Sequence, residues 1–128
     1  MDLDEIGKQI VDAAFEVHKT LGPGLLESAY EACLKHELTL RGINFVSQKE
    51  VPLIYKGIRV DVAYRLDLLV EDRVIVEIKS SDRLTDVNLA QIISYLKLKD
   101  LRLGYLINFN VKYSKNGIKR VVNNFEEE

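Results

Sequence analysis

The stretch Tyr64 to Lys79, YRLDLLVEDRVIVEIK, decides how this chain is read. Two apolar runs flank Glu71-Asp72-Arg73, and each carries polar residues on one face only. With a period of two, Leu66, Leu68 and Val70 share one face of the first strand and Val74, Val76 and Ile78 share one face of the next. Asp67 then lies opposite in its strand, and Glu77 with Lys79 opposite in theirs. Strands this apolar belong at the centre of a sheet, buried on both sides. Burying two carboxylates and an ammonium there costs several kcal/mol per ion unless they are paired, hydrogen-bonded or bound to a metal. The plain alternative is a buried salt bridge from Lys79 to Glu77 or Asp67, or a strand edge where all three reach water.

The turn settles whether the two acids meet. A two-residue Glu71-Asp72 turn would set Asp67 opposite Val76. A three-residue loop pairs Val70 with Val74 and sets Asp67 opposite Glu77. The longer loop is the expectation, and Asp72 tolerates the left-handed backbone that it requires.

Working outward, Phe45 to Tyr55 and Ile58 to Val70 read as a hairpin joined at Lys56-Gly57. Upstream, Leu3, Ile6, Ile10, Ala13, Ala14, Val17 and Leu21 recur at helical spacing until Gly22-Pro23-Gly24, giving a helix over Leu3 to Leu21. A second helix is expected from Pro23 to Arg41-Gly42; a later start would use Ser28 as N-cap and Glu31 in a capping box. Downstream, Thr85 or Asp86 caps a helix to about Leu98 that buries Val87, Leu89, Ile92, Ile93 and Leu96. Leu103 to Asn108 is a further strand, and a short hairpin around Asn116-Gly117 closes the chain. The order ααβββαβ(β) predicts an α/β fold, a mixed sheet flanked by helices.

With 128 residues the chain is one domain, expected over residues 1–125, followed by an acidic tail at Glu126 to Glu128. Eighteen Lys and Arg against twenty Asp and Glu give a net charge of -2, which excludes the strongly basic field of a dedicated nucleic-acid binder. Lys112, Lys115, Lys119 and Arg120, and likewise Lys97, Lys99 and Arg102, read as solvated rims. Lone Cys33, an acidic amino terminus and the lack of any apolar run near ~20 residues predict a cytoplasmic protein without a membrane span. His18, His36 and Cys33 are not spaced as zinc ligands or as a nucleophile and its base, and no phosphate-binding glycine loop occurs.

Gln91 and Tyr95 lie one helical turn apart downstream of the acids. Together these residues resemble the PD-(D/E)XK nuclease superfamily, with Asp67 as its first acid and Glu77-Ile78-Lys79 as its ExK element. Gln91-Ile-Ile-Ser-Tyr95 resembles the QxxxY element of the RecB-like branch, and Gly24-Leu-Leu-Glu27-Ser-Ala-Tyr30 is similar to the signature of the small GxxExxY family. The similarity runs from the first helix to about Val122. Leu66 stands where the superfamily often has proline.

The resemblance implies a restriction-endonuclease-like core that hydrolyses DNA or RNA phosphodiesters through a metal-activated water. Mg²⁺ or Mn²⁺ suits hard oxygen ligands. Asp67 and Glu77 would be direct ligands, with the backbone carbonyl of Ile78 and Glu27 completing the set. Lys79 would hold the attacking water and offset charge in the transition state. Gln91 would orient water or a phosphate oxygen, and Tyr95 would donate to phosphate or stack on a base. Glu27 and Gln91 are expected to approach the same sheet face from two helices, with Tyr30 in support. DNA or RNA is the implied partner, with a protein partner or homodimer as further expectations. The alternative function is a noncatalytic nucleic-acid-binding or protein-interaction module that keeps the nuclease fold.

Overall fold

Asp2 opens the first helix by accepting the Glu5 N–H at 2.8 Å, and α1 runs Leu3–Leu21. Its stripe of Ile6, Ile10, Ala13, Ala14 and Val17 is buried. Gly7 belongs to that contact because the Tyr105 hydroxyl occupies the space a Cβ would need. Gly22, at φ 68, ends the helix with its N–H on the His18 carbonyl at 2.8 Å. The computed structural model describes residues 1–125, so the expected acidic tail lies outside the described residues.

The second helix, α2, spans Glu27–Leu40, starting later than Pro23 and without a side-chain cap. Tyr30 is the reason. Its buried ring stacks on Phe109, with centroids 4.6 Å apart and planes 7° from parallel. Its hydroxyl donates to the Gly22 carbonyl at 2.6 Å and accepts from the Leu25 N–H at 3.1 Å. The intervening residues are thereby held as a loop, and Glu27 becomes the first helical residue.

Strands β1 (Phe45–Tyr55), β2 (Ile58–Val70), β3 (Val74–Lys79), β4 (Leu103–Asn108) and β5 (Ile118–Val122) form one sheet in the order β1-β2-β3-β4-β5. Neighbours are antiparallel except β3 and β4, which are parallel and joined across α3 (Asp86–Lys99). The mixed α/β architecture is therefore as expected. The closing connection differs: Ser114–Gly117 is a 3₁₀ turn, neither Asn116 nor Gly117 has a positive φ, and Gly117 is pressed against the Asn108 carbonyl. That close approach, in place of a left-handed Asn-Gly turn, sets the return of β5.

The two sheet faces carry separate cores. Leu68, Val70, Val74, Val76 and Ile78 pack under α1 and α2, while Leu69, Ile75 and Leu106 pack under α3. Leu66 falls in the α3 cluster, contrary to strict alternation, because Gln48 at φ 54 and Asp67 drop out of the β1–β2 ladder between the pairs Ser47↔Leu68 and Lys49↔Leu66. On α3 only Ile92, Tyr95 and Leu96 are buried. Val87 and Leu89, expected inside, are 76% and 38% exposed, since the helix packs through its later turns. The 11 and 13 residues of β1 and β2 outrun the six of β3. The distal half of their hairpin thus forms an arm, turned at Lys56-Gly57, on which Ile54, Tyr55, Ile58 and Val62 are exposed. Among the described residues no helix is long and apolar enough to cross a membrane.

Candidate functional site

The β2–β3 ladder pairs Val70 with Val74, Leu69 with Ile75 and Leu68 with Val76, then stops. The connection is the expected three-residue loop. Both Glu71 and Asp72 are left-handed (φ 52 and 55), and Glu71 is secured by its N–H on the Asn44 carbonyl at 2.9 Å and its carboxylate on the Asn44 N–H at 2.7 Å. This register brings Asp67 and Glu77 together where the strands part. The Asp67 N–H donates to Glu77 Oε2 at 2.8 Å, and the Ile78 N–H donates to Asp67 Oδ2 at 2.8 Å. Two side-chain carboxylates thus take over from the backbone ladder and satisfy N–H groups that the fork would strand.

Glu77 is 6% exposed and Asp67 half-buried. Burial, and then the Asp67 charge, push the Glu77 carboxyl from 4.5 up to about 8, against the opposing pull of the Asp67 N–H and the Lys79 ammonium. Lys79 is half-buried at the end of β3, where its carbonyl accepts the Phe109 N–H at 3.0 Å. It takes part in none of the salt bridges between described residues, so direct ion pairing to Asp67 or Glu77 is not what holds it there.

The first turns of α2 reach the same fork. Glu27 is exposed and accepts the Ser80 N–H at 3.3 Å, while the Ser80 hydroxyl donates to the Leu25 carbonyl at 2.6 Å. Glu31, one turn later, accepts from Gln48 Nε2 at 2.9 Å; burial and then the Asp67 charge raise its carboxyl above the ordinary range. Glu27, Ser28, Glu31, Gln48, Asp67 and Ile78 line a cleft of about 180 Å³. Glu77 is not among the lining residues but is tied to one of them through the Asp67 N–H.

Gln91 and Tyr95 do not join this cleft. They belong to α3 on the opposite sheet face, so Glu27 and Gln91 flank the sheet from two sides where convergence on one face was expected. Gln91 is exposed in a groove of about 460 Å³ that it shares with Tyr64, Tyr95 and Lys97. Tyr95 is buried, and its hydroxyl is raised by burial first and then by the charge of Glu77, with Asp67 adding a smaller effect. The charges of the two acids thus reach Tyr95 on α3.

Sequence reading did not single out Gln48 or Tyr64, and it used Glu31 only as a helix-capping residue. Glu31 was legible, because a spacing of four from Glu27 places both on one helix face. Gln48 gives no local signal, since its role follows from a left-handed backbone set by the neighbouring strand. His18 packs with its Nε2 2.6 Å from the Val111 carbonyl, His36 is exposed and Cys33 half-buried.

Among the described residues no three His, Cys, Asp or Glu side chains form a ready-made metal cage. The donor chemistry still fits a hard divalent cation: Glu27, Glu31 and Asp67 present only oxygen to a water-open cleft. Mg²⁺ in particular commonly takes one or two carboxylates and fills the rest of its shell with water and phosphate oxygens. A family model described as the PD-(D/E)XK nuclease superfamily matches residues 4–121, from α1 into β5. No curated protein matches this chain.

Proposed function

The chain belongs to the PD-(D/E)XK nuclease superfamily, and we propose that it hydrolyses DNA or RNA phosphodiester bonds with Mg²⁺ or Mn²⁺ at the fork between β2 and β3. The GxxExxY signature at Gly24 to Tyr30 and the QxxxY element at Gln91 to Tyr95 support placing it in the GxxExxY family and the RecB-like branch. The observation that carries the reading is the pair of carboxylates across the parted strands, Glu77 accepting the Asp67 N–H and Asp67 accepting the Ile78 N–H.

Each backbone N–H fastens one oxygen of a carboxylate and so fixes the orientation of the acid. Asp67 and Glu77 would hold the cation, with Glu27 and the Ile78 carbonyl as further oxygen donors. When bound, the cation counters phosphate charge and acidifies water. Glu77 would bind the cation in its ionised form. Lys79 positions the attacking water beside the phosphate and offsets the negative charge that grows on it. Tyr95 donates to a phosphate oxygen, and Gln91 orients the bound strand.

The test is cleavage of single- and double-stranded DNA and RNA by the purified chain in Mn²⁺, alongside calorimetric ion binding. Cleavage by the wild type, lost in Lys79→Ala while Mn²⁺ binding persists, is expected. A wild type that binds neither ion and cuts none of the four substrates would replace the enzyme with the noncatalytic binding module.

A further inference from the structure

The groove on the α3 side has a composition that the acid cleft lacks. Its walls are Leu53 from β1 and Leu98 from α3, its floor is Tyr95, and Tyr64 forms one side. Tyr64 is 39% exposed against 5% for Tyr95. Their ring centroids are 5.7 Å apart with planes at 47°, so Tyr95 props Tyr64 from behind and leaves ring surface open. Polar side chains enter as the exposed Gln91 amide, the exposed Lys97 ammonium and the exposed Ser94 hydroxyl. At about 460 Å³ the groove falls within the ~300–1,000 Å³ usual for small-ligand sites.

We propose that this groove seats one unpaired nucleobase, making Tyr64 on the β1–β2 arm a specificity residue for single-stranded DNA or RNA over intact duplex. The inference rests on the nuclease reading for its placement beside the scissile phosphate. Four features fit that occupant. Every base has a π-face to lie on the open Tyr64 ring, whatever its sequence. The Gln91 amide offers both a donor and an acceptor to a base edge. Lys97 supplies a cation for the adjoining phosphate, and it takes part in none of the salt bridges between described residues. Tyr64 precedes Asp67 by three residues on β2, and Tyr95 on the groove floor feels the charges of Glu77 and Asp67, which sets the base seat near the acid fork. A purely aliphatic occupant would leave the amide and ammonium without partners. A base inside a duplex has both faces already stacked and does not enter.

The experiment measures binding apart from cleavage. DNA and RNA oligonucleotides carrying one 2-aminopurine, as single strands and as duplexes, are titrated with the full chain in Ca²⁺. Single strands should bind more tightly and show the base stacked by a change in fluorescence. Tyr64→Ala should raise the single-strand Kd by about tenfold and leave the duplex Kd unchanged, with Tyr64→Phe restoring binding. Lys97→Ala, at an exposed position, covers the case in which the tyrosine variant misfolds; it should weaken the single strand selectively and reduce its salt slope by about 0.7. Strand-selective binding without cleavage in Mn²⁺ would uphold the groove while removing the nuclease reading. Cleavage with equal single-strand and duplex affinities, equal weakening of both by either variant, or no binding of either would overturn the groove.

Discussion

The two sides of the sheet carry different chemistry. On the α2 side, the carboxylates of Glu27, Glu31 and Asp67 line a small cleft together with Ser28, Gln48 and Ile78. On the α3 side, Leu53, Tyr64, Tyr95 and Leu98 make a larger, mainly apolar groove edged by Gln91, Ser94 and Lys97. The fork lies between them because the β2–β3 ladder ends after Leu68↔Val76. A sheet whose strands remain paired separates its faces, whereas a sheet that opens lets both address one phosphate. In the proposed enzyme, ion and water chemistry belong to the α2 face, and grip on the strand belongs to the α3 face.

That division can be broken most strongly at Lys79. Replacing it with Ala should lower the cleavage rate by a factor on the order of 10²–10³, the usual cost of one electrostatic donor to a transition state, with ion affinity kept. Single-turnover cleavage read beside calorimetry checks this, and a parallel fall in ion affinity would place Lys79 with the ligands.

Asp67→Asn should weaken Mg²⁺ and Mn²⁺ binding by at least the ~10–100-fold that loss of an outer-shell partner costs. It should also raise the melting temperature of the ion-free protein, because a charge beside buried Glu77 is gone. A lower melting temperature together with unchanged ion binding would make the acid pair structural.

Glu77 predicts a pH dependence. Its folded pKa of about 8 lies above the ordinary 4.5, so between these values the native state holds a proton that the unfolded chain has lost. Stability of the ion-free protein from this group is greatest below about 4.5 and is lost as pH rises through 8. Ion affinity should rise over the same window as the proton leaves. Thermal melts from pH 5 to 8 should therefore slope downward for the wild type and flatten in Glu77→Gln. Identical slopes would mean that Glu77 is already ionised in the native state.

The smallest effect is expected on the other face. Gln91→Ala should raise KM for nucleic acid about tenfold or less, the worth of one hydrogen-bonding contact, and leave ion affinity unchanged. Loss of ion binding there would join the two faces into one site.

The chain by itself determined that Asp67 and Glu77 meet. Only the Val70↔Val74 register sets two alternating apolar strands face to face with both acids aligned, and a slip of one residue would turn every side chain to the wrong side. The span of α1 was equally legible, because its cap, apolar stripe and terminal glycine are all local. Tertiary structure decided the rest. The start of α2 depends on Tyr30 stacking with Phe109, far along the chain. The parting of β2 from β3 is bridged by the Asp67 and Glu77 carboxylates, and the break in the β1–β2 ladder falls at Gln48, whose backbone carries no signature in its own sequence. The face that receives α3 was also outside local reach: Gln91 and Tyr95 can be placed one turn apart from spacing, but the side of the sheet they reach is set by how the β3–α3–β4 crossover packs. Periodicity is a property of neighbouring residues, while a fork between strands and the choice of a sheet face are properties of contacts that exist only once distant segments have packed.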